Sequence, residues 1–381
     1  MMDKKKLKIF IIAGEASGDV LGAKIIRSFH GRRVEWKGVG GTEMKDAGLK
    51  SIFPMNDLSV MGFTAVLMRA RTLLRRIRET TAAISSYRPD IVLTIDSPGF
   101  AKAVAKKLRE CPTRPKLYHV VAPQVWAWRP GRAKKFAQLF DRLYCFFDFE
   151  VPYFTKYGLP TIPVGHPIAD GEIKWGKPGD FRKRFRIPQG RKIIAMLPGS
   201  RQNEVKNLMP LLGQVARMWA NSGRLIVIPA APSVARQVKA AAAEWKTRPL
   251  VVGAHHRYVL FRDASVAISA SGTATAELAI LHAPAVVVYK TSWLTYTMFK
   301  LVARVKYISL VNIIMNKEIY PEFMQGAANV KNVSAAANKI LNHKKERNKI
   351  VNELKAADKI WSRGNLPASD LIRNDILKTL K

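Results

Sequence analysis

The stretch KIFIIAGEASGD, residues 8–19, joins an apolar run to a small and charged loop. The run stops at Ala13, and two glycines, two carboxylates and a serine follow within the next six residues. Such a break is typical of a buried parallel strand that ends at the ligand-binding edge of its sheet. The loop has the small residues of a phosphate-binding turn, but Glu15 and Asp19 would repel a phosphate. We therefore expect it to approach a sugar, because hydroxyl groups donate hydrogen bonds to carboxylates.

The glycines of this loop do not support a dinucleotide site. Gly14 and Gly18 are four residues apart, which is not the GxGxxG spacing, and no third glycine or downstream ribose-binding acid fits. A structural alternative is that Ser17 or Asp19 caps the following helix. The sequence also contains no GxSxG elbow, HExxH pair or Walker lysine motif. Four histidines lack ligand-like grouping, and we predict no metal site; they are His119, His166, His255 and His256.

The length and composition predict a two-domain globular protein. The chain has 381 residues, of which 48% are hydrophobic, so it exceeds what one core usually supports. The cysteines, Cys111 and Cys145, have no metal-ligand spacing and are expected to be reduced core residues of a cytosolic protein. The first apolar run is too short for a signal peptide, and no apolar stretch of about 18 residues predicts a transmembrane helix.

The charge of the chain predicts a polyanionic partner. The sequence has 64 basic and 28 acidic residues, a formal net charge of +36, which attracts nucleic acid or the anionic face of a membrane. Residues 58–88 combine an apolar wedge with a basic helix, and residues 293–307 repeat this pairing. An amphipathic core helix with solvated arginines is the alternative for each segment; together they favour a membrane surface. The expected membrane-contacting residues are Val60, Met61, Phe63, Val66, Leu67, Met68, Arg69 and Arg71.

Apolar runs and helical patterns alternate along the chain, as they do in βαβ units. Ten strands are expected, at 8–13, 91–95, 116–121, 142–147, 161–165, 193–197, 224–229, 249–252, 265–270 and 284–289. We predict two doubly wound, Rossmann-like α/β domains, residues 1–175 and 176–365. A last helix, residues 366–381, is able to cross back to the first domain. In such sheets ligands bind at the carboxyl ends of the strands, and those edges can face a cleft between the two domains.

The segment TIDSPGF, residues 94–100, places Asp96 directly after an expected strand. A carboxylate at this edge is a candidate general base if an acceptor hydroxyl lies within hydrogen-bond reach. An almost equally good interpretation is that Asp96 caps the next helix.

The segment APQVWAWRPGR, residues 122–132, also follows an expected strand and contains two tryptophans and two arginines. Aromatic rings such as Trp126 stack on sugars or pack against acyl chains, and arginines such as Arg129 bind phosphate in a fork. Burial of the tryptophans beneath a loop is the alternative.

Two loops of the second domain have the features of a nucleoside diphosphate site. LPGSRQNEV (197–205) and SASGTATAE (269–277) each follow an expected strand and open a helix, whose first amides can bind an anion. Arg201 can fork a phosphate, and Glu277 can accept hydrogen bonds from both ribose hydroxyls. The expected donor-binding residues of these loops are Gly199, Ser200, Arg201, Ser271, Gly272, Thr273 and Glu277.

As an ordered set, the motifs resemble those of the lipid-A-disaccharide synthases. The segments that carry the resemblance are GEASGD, GGTEM (40–44), VMGF (60–63), APQVWAW, VGHP (164–167), LPGSR, SGTATAEL and SLVNIIMNKEIYPEFMQ (309–325). The resemblance implies a GT-B fold and an inverting glycosyltransferase of lipid A and lipopolysaccharide synthesis in a Gram-negative bacterium. The implied donor is UDP-2,3-diacylglucosamine and the implied acceptor is 2,3-diacylglucosamine 1-phosphate. The products would be a β-1,6 disaccharide and UDP, with no metal or other cofactor.

The resemblance also assigns roles to residues of this sequence. It implies that Asp96 is the base, with Glu15 and Asp19 as other carboxylates able to take that role. It adds Asn312 and Gln325 to the donor site, although Val311 stands where proline is usual in the family. The implied acceptor-binding residues are Gly14, Glu15, Ser17, Asp19, Trp126 and Arg129.

Both substrates would be acylated anions, so the resemblance implies a cytoplasmic protein that is peripheral on the inner membrane and bound to its anionic surface. A homodimer is compatible with the sequence and not required by it. The nearest rivals are other UDP-sugar enzymes of the same fold, such as a cell-wall N-acetylglucosaminyltransferase or a UDP-sugar 2-epimerase. A noncatalytic nucleic-acid-binding protein is a further alternative, but RNA-binding signatures are absent, and no specific nucleic-acid partner is expected.

Overall fold

The computed structural model describes residues 6–58, 70–111, 113–126, 131–171, 173, 176–291, 296–297 and 306–380. The chain divides into two compact units, Met1–Pro167 with Ser362–Lys381, and Ile168–Trp361. Both divisions fall a few residues before the expected boundaries at 175 and 365. The first does so because Ile173 already belongs to the second unit: its side chain is buried and its carbonyl accepts a hydrogen bond from Arg262.

The first unit is a parallel α/β sheet with helices packed against it. Its strands are β1 (Leu7–Ala13), β2 (Val34–Val39), β3 (Ile91–Ile95), β4 (Lys116–Val120), β5 (Arg142–Cys145) and β6 (Thr161–Pro163). They lie in the order β2-β1-β3-β4-β5-β6, and every pairing is parallel. The helices are α1 (Ala16–Ser28), α2 (Thr42–Asp46), α3 (Ala70–Tyr87), α4 (Pro98–Arg109), α5 (Arg132–Ala137) and α6 (Val151–Thr155). All five residues of β3 are buried, as expected of a central strand with helices on both faces.

Strand β2 is an edge strand that the sequence did not predict. Its sequence, VEWKGV, alternates charged and apolar residues and lacks the continuous apolar run of the inner strands. Its pairing with β1 depends on Gly38, because a Cβ at that position would lie 1.8 Å from the carbonyl oxygen of Ile11. Gly38 has φ of +155°, which L side chains rarely adopt.

The second unit repeats the architecture. Its strands are β7 (Ile193–Leu197), β8 (Leu225–Ala230), β9 (Leu250–Gly253), β10 (Val266–Ala270), β11 (Ala285–Tyr289) and β12 (Glu322–Met324). They lie in the order β12-β11-β10-β7-β8-β9, again with parallel pairing throughout. The helices are α7 (Asp180–Arg184), α8 (Gln202–Arg217), α9 (Ala235–Ala243), α10 (Arg257–Asp263), α11 (Thr273–Ile280), α12 (Leu310–Met315), α13 (Val330–Asn342), α14 (Lys344–Ala356) and α15 (Asp358–Trp361).

The last helix, α16 (Ala368–Thr379), packs on the first unit. Ile372 and Ile376 are fully buried in the same apolar cluster as the core of β1. Asp375 accepts two hydrogen bonds from Arg142 and one from the Tyr144 hydroxyl, each at 2.8 Å. Apolar burial and a charge-assisted network therefore hold the C-terminus against the sheet.

The α/β class with two parallel sheets is confirmed, and all ten expected strands are present. Most of the apolar-basic segment 293–307 lies outside the described residues, as do residues 59–69 of the segment 58–88. Among the described residues, no helix is long and apolar enough to cross a membrane.

Candidate functional site

The carboxyl edge of the first sheet brings the GEASGD loop beside Asp96. Ala13, the last residue of β1, lies opposite Ile95, the last residue of β3. Gly14 then packs directly on Ser97, because a Cβ at position 14 would lie 2.2 Å from the Ser97 hydroxyl oxygen. The chain therefore needs glycine at position 14 for these two loops to meet.

Asp96 sits in a sharp turn between β3 and α4. Asp96 and Ser97 both have left-handed backbone, with φ of 55° and 46°, which is uncommon for residues other than glycine. The Ser97 amide donates to Asp96 Oδ1 at 2.8 Å, and the Asp96 amide donates to the carbonyl of Val120 at 3.0 Å. Burial raises the pKa of the Asp96 carboxyl, and the hydrogen bond from Ser97 opposes that shift. The expected alternative role is not seen, since helix α4 has no side-chain cap.

Glu15 and Ser17 of the GEASGD segment differ in their exposure to solvent. Glu15 occupies the N-cap position of α1 without a side-chain capping bond and is partly buried, whereas Ser17 is exposed. Neither residue caps the helix through its side chain.

Asp19 has a structural role in the fold of the first unit. Its carboxylate is buried and accepts hydrogen bonds from the backbone amides of Gly41 (2.7 Å), Glu43 (2.9 Å) and Met44 (3.1 Å). These amides open helix α2, so Asp19 fixes the GGTEM segment by capping that helix rather than its own. Both oxygens accept from backbone amides, so Asp19 has a structural role, and its expected contact with the acceptor stays a prediction.

Trp126 is held by a buried carboxylate that sequence reasoning missed. The Trp126 Nε1–H donates to Glu150 Oε1 at 3.4 Å, and its ring packs edge-on against Phe149 at 5.4 Å. Glu150 Oε2 accepts from the amides of Phe146 and Phe147 at 3.0 and 3.1 Å. Burial raises the pKa of Glu150 to about 7, although these hydrogen bonds favour the charged form. Arg129 lies outside the described residues.

Of the expected membrane-contacting residues, only Arg71 is described, and it is exposed on the first turn of α3. Leu74, on the next turn, is 57% exposed, which is unusual for a large apolar side chain. The other seven residues lie outside the described part of the chain: Val60, Met61, Phe63, Val66, Leu67, Met68 and Arg69.

The carboxyl edge of the second sheet contains a pocket of about 360 Å³. It lies among the loops that follow β7, β8, β9 and β10, as expected of ligand sites in such sheets. Seven residues predicted to bind the donor line it: Gly199, Ser200, Arg201, Ser271, Gly272, Thr273 and Glu277. Helix α11 begins at this pocket and has no side-chain cap. The sequence-based grouping of these two loops agrees with this arrangement.

Arg201 is an exposed cation at the pocket. Its side chain is 63% exposed, and its Nη1 lies 3.2 Å from Glu204 Oε1. Glu204 Oε2 accepts from the amides of Ser200 and Arg201 at 3.1 and 3.3 Å. The Glu204 carboxylate therefore occupies the start of α8, where an anionic ligand was expected. Gly199 permits this, because it has φ of +102° and a Cβ there would lie 2.3 Å from Glu204 Oε2.

Glu277 is a buried carboxylate fixed by an arginine. Its side chain is 9% exposed, and Arg257 Nε lies 3.1 Å from both of its oxygens. The Tyr258 hydroxyl donates to Oε1 at 3.1 Å. Burial opposes the charge of Arg257, but the attraction and hydrogen bond of Glu277 prevail and raise the arginine pKa.

The Asn312 side chain uses all of its hydrogen-bonding positions within the protein. It is fully buried, and its Nδ2 donates to the carbonyl of Tyr320 and to Glu322 Oε1, both at 2.8 Å. Its Oδ1 accepts from the amides of Ile319 (2.9 Å) and Tyr320 (3.0 Å). Two donors and two acceptor positions are all an amide has. We therefore assign Asn312 to the scaffold of the second unit.

Gln325 has a comparable structural task. Its Oε1 accepts from the amide of Thr291 at 2.9 Å, and its Nε2 donates to the carbonyl of the same residue at 3.0 Å. This paired contact ties the end of β12 to the end of β11, its neighbour in the sheet.

Glu204, Arg257 and Glu150 were not predicted as site residues. Glu204 carried a usable signal, because a glutamate three residues into an expected helix is typical of a capping box. Arg257 and Glu150 had no such signal, because the partner of each is distant in the sequence and close only in the folded structure. Within the described ranges, no group of three or more His, Cys, Asp or Glu side chains is arranged to hold a metal ion.

Residues 9–369 match the family model described as lipid-A-disaccharide synthetase. The chain belongs to the lipid-A-disaccharide synthase family. A family member from Rhodospirillum centenum is 36% identical over 382 residues, which cover 99% of this chain and 95% of that protein. The family member from Gluconobacter oxydans is 37% identical over 88% of this chain and 81% of its own length. The family resemblance drawn from the motifs is thus confirmed.

Solved structures with the same architecture include a UDP-GlcNAc 2-epimerase and a sucrose-phosphate synthase. The epimerase is from Neisseria meningitidis and was solved bound to UDP-GlcNAc. The match covers 98% of this chain and 100% of the epimerase, with a TM-score of 0.65 and 14% identity. The match to sucrose-phosphate synthase from Thermosynechococcus elongatus covers 98% of this chain and 99% of that protein, with a TM-score of 0.59 and 15% identity. At these identities the likeness establishes the fold alone, and it confirms the expected GT-B class.

Proposed function

We propose that the chain transfers 2,3-diacylglucosamine from UDP-2,3-diacylglucosamine to 2,3-diacylglucosamine 1-phosphate. The acceptor 6-hydroxyl oxygen would form a bond to the anomeric carbon while the bond to UDP breaks. The products would be a β-1,6-linked disaccharide 1-phosphate and UDP, with inversion at the anomeric carbon. Family membership over residues 9–369 supports this reaction class.

The single observation that carries the proposal is the pocket of the second unit. It combines an exposed arginine, Arg201, with the glycine-containing loop before it and the uncapped start of α11. Arginine and backbone amides together suit a diphosphate, because both donate hydrogen bonds to anionic oxygens. The same groups would stabilise the negative charge that develops on UDP as it leaves.

Asp96 is the proposed general base. Its carboxyl group is partly buried at the sheet edge and has a raised pKa, which brings it closer to the pH at which a base works well. Among the described residues, no basic side chain forms an ion pair with it. Glu15, in the loop beside it, is the alternative base.

The acylated substrates and the charge of +36 support association with the anionic cytoplasmic face of the inner membrane. The exposed Arg71 and Leu74 on α3 are the described residues that fit this role. Sedimentation with vesicles of zwitterionic lipid, with and without anionic lipid, tests it. Salt-sensitive binding to the anionic vesicles alone is expected, and equal binding to both would contradict the electrostatic part.

The reaction is tested by UDP release from UDP-2,3-diacylglucosamine in detergent micelles, with and without the acceptor. Release that depends on the acceptor supports the transferase. Conversion of UDP-GlcNAc into its 2-epimer, with no acceptor-dependent release, would replace the proposal with the epimerase alternative. Asp96→Ala in the same assay separates the base from the donor site, since UDP binding should persist while release is lost.

A further inference from the structure

The two arginine–glutamate pairs of the second-unit pocket differ in how many contacts hold the arginine. Arg201 is 63% exposed and reaches Glu204 through one guanidinium contact, so it can exchange that carboxylate for a ligand phosphate. The Arg257 side chain is 31% exposed and engaged on several sides. Its Nη1 donates to the carbonyl of Ala254 at 3.2 Å, and its Nη2 donates to the hydroxyl of Tyr258 at 2.5 Å. Arg257 is therefore fixed before any ligand arrives.

The contacts of Arg257 distinguish the two oxygens of Glu277. Oε1 lies within 3.1 Å of three donors, which are Nε and Nη2 of Arg257 and the hydroxyl of Tyr258. Among the described residues, Oε2 has one hydrogen-bonding donor, the shared Nε of Arg257 at 3.1 Å. An ionised carboxylate oxygen has two lone pairs. Oε2 thus keeps accepting capacity on a residue that lines the pocket.

We infer that Arg257 is a positioning residue, which holds the Glu277 carboxylate in one orientation so that Oε2 accepts a ribose hydroxyl of the UDP moiety. The inference rests on the proposed UDP-sugar activity and deepens it. Arg257 also lines the pocket, but its Nε, Nη1 and Nη2 each donate to a protein group, so its proposed role is to hold Glu277. The Tyr258 hydroxyl supports the arrangement, since it accepts from Arg257 and donates to Glu277.

The planar guanidinium is what the arrangement needs. A lysine at position 257 would keep the positive charge beside Glu277, but one ammonium group does not reproduce the fork that contacts Ala254, Tyr258 and Glu277 together. A buried carboxylate with a single, mobile partner would rotate, and Oε2 would no longer be held toward the pocket. Arg257→Lys is therefore the informative variant, because it separates charge from orientation.

The test compares the binding of UDP, 2′-deoxy-UDP and 3′-deoxy-UDP to the full chain by titration calorimetry. The wild type should bind UDP about tenfold or more tightly than at least one deoxy analogue, as expected for a lost hydrogen bond to a charged group. Glu277→Gln should reduce this preference. Arg257→Lys should reduce it to below about threefold while affinity for the disfavoured analogue stays within about twofold of the wild type. Tyr258→Phe should reduce it less.

Arg224→Lys is the matched control, because its guanidinium bonds to Asn338 and Asn342, which do not line the pocket. It should keep the full preference. Equal weakening of all three ligands by Arg257→Lys would mean a merely structural role, and an unchanged preference would also overturn the inference. Thermal unfolding of each variant identifies a loss of fold. If the wild type binds none of the ligands, the proposed function itself fails; if it binds UDP but shows no preference, only the ribose assignment fails.

Discussion

Gly14 and Ser97 meet so closely that a Cβ on residue 14 would lie 2.2 Å from the Ser97 hydroxyl oxygen and 2.8 Å from its Cβ. They meet because β1 and β3 are neighbours and end in register, with Ala13 opposite Ile95. Ser97 is also the residue whose amide holds the carboxylate of Asp96. The small residue in the first loop therefore sets the position of the proposed base in the second.

Gly14→Ala should reduce turnover about 10- to 100-fold, because the added methyl group forces Ser97 and the adjoining Asp96 to move. A displacement of about 1 Å at a reacting group can have an effect of this size. The overpacking should also destabilise the first unit by about 1–3 kcal/mol. Steady-state kinetics and thermal unfolding measure the two effects. Gly18→Ala is the control, since its nearest contacts lie at 3.5 Å and should tolerate a methyl group; equal losses in both variants would contradict the steric explanation.

Asp96→Asn should lower kcat by about 10²- to 10⁴-fold, because the amide cannot take a proton from the acceptor hydroxyl. Its Oδ1 can still accept from the Ser97 amide, so the turn should persist and the affinity for UDP should not change. In the wild type, activity should fall with falling pH as the carboxyl is protonated. That fall should occur above the ordinary pKa of aspartate, since burial raises the pKa of Asp96.

The pH–rate profile of kcat/KM checks this assignment, and the acid limb should disappear from the residual activity of the variant. Glu43→Gln, an exposed carboxylate in the same unit, is the control for loss of charge. Full activity in Asp96→Asn would transfer the base role to Glu15.

Arg201→Ala should weaken UDP binding about 10- to 100-fold, as expected when a charge-assisted hydrogen bond to a phosphate is lost. The remaining affinity should depend less on salt, because one positive charge has left the site. Calorimetric titration at two salt concentrations measures both effects. Arg217→Ala is the control, since Arg217 is exposed in the last turn of the same helix. Similar losses in the two variants would indicate general attraction by net charge rather than a site.

The inner strands and the pocket loops were predictable from sequence because each leaves a local pattern. A strand such as β3 is buried on both faces and therefore reads as an uninterrupted apolar run. The loops after β7 and β10 follow such runs and contain glycine, and the topology of a parallel sheet brings them to one edge. Strand β12 has only three residues, all partly buried, so its sequence carries no comparable pattern.

The roles of individual polar residues were less predictable, for a physical reason. Asp19 and Asn312 lie in motifs near the sites, but Asp19 bonds to backbone amides, and Asn312 bonds to backbone groups and to the Glu322 carboxylate. A polar side chain looks the same in sequence whether it faces a ligand or a buried amide. The pairing of Arg257 with Glu277 is also invisible in sequence, because the contact crosses from one helix to another.

Asn312→Ala should destabilise the second unit by about 3 kcal/mol, because it leaves buried amides and a buried carbonyl without partners. The affinity of the folded protein for UDP should remain within about twofold of the wild type. Thermal unfolding and calorimetric titration below the unfolding temperature measure these quantities. Asn348→Ala, at an exposed position of α14, controls for the substitution. Lost UDP affinity without lost stability would return Asn312 to the donor site.

His119 should make the first unit sensitive to acid. It is fully buried in β4, with Nδ1 2.6 Å from the Thr94 hydroxyl and its ring against both Phe136 and Phe140. Burial lowers its pKa to about 3, from the ordinary value of 6.5. Between these values the unfolded chain binds a proton that the folded chain does not, so stability is lost as the pH falls below 6.5.

Between pH 7.5 and 5.0 this difference in pKa should lower the free energy of unfolding by about 2 kcal/mol. The pH falls about one and a half units below 6.5, and each unit contributes about 1.4 kcal/mol. His119→Gln keeps a hydrogen-bonding group near Thr94 but cannot be protonated, so it should lose less stability over that interval than the wild type. Calorimetric unfolding at the two pH values gives the comparison, and His30→Gln, an exposed histidine of the same unit, is the matched control. His166 is a second buried histidine with a lowered pKa, about 4, so part of the acid sensitivity should remain in His119→Gln. An identical loss in the wild type and in His119→Gln would show that His119 does not contribute to the acid response.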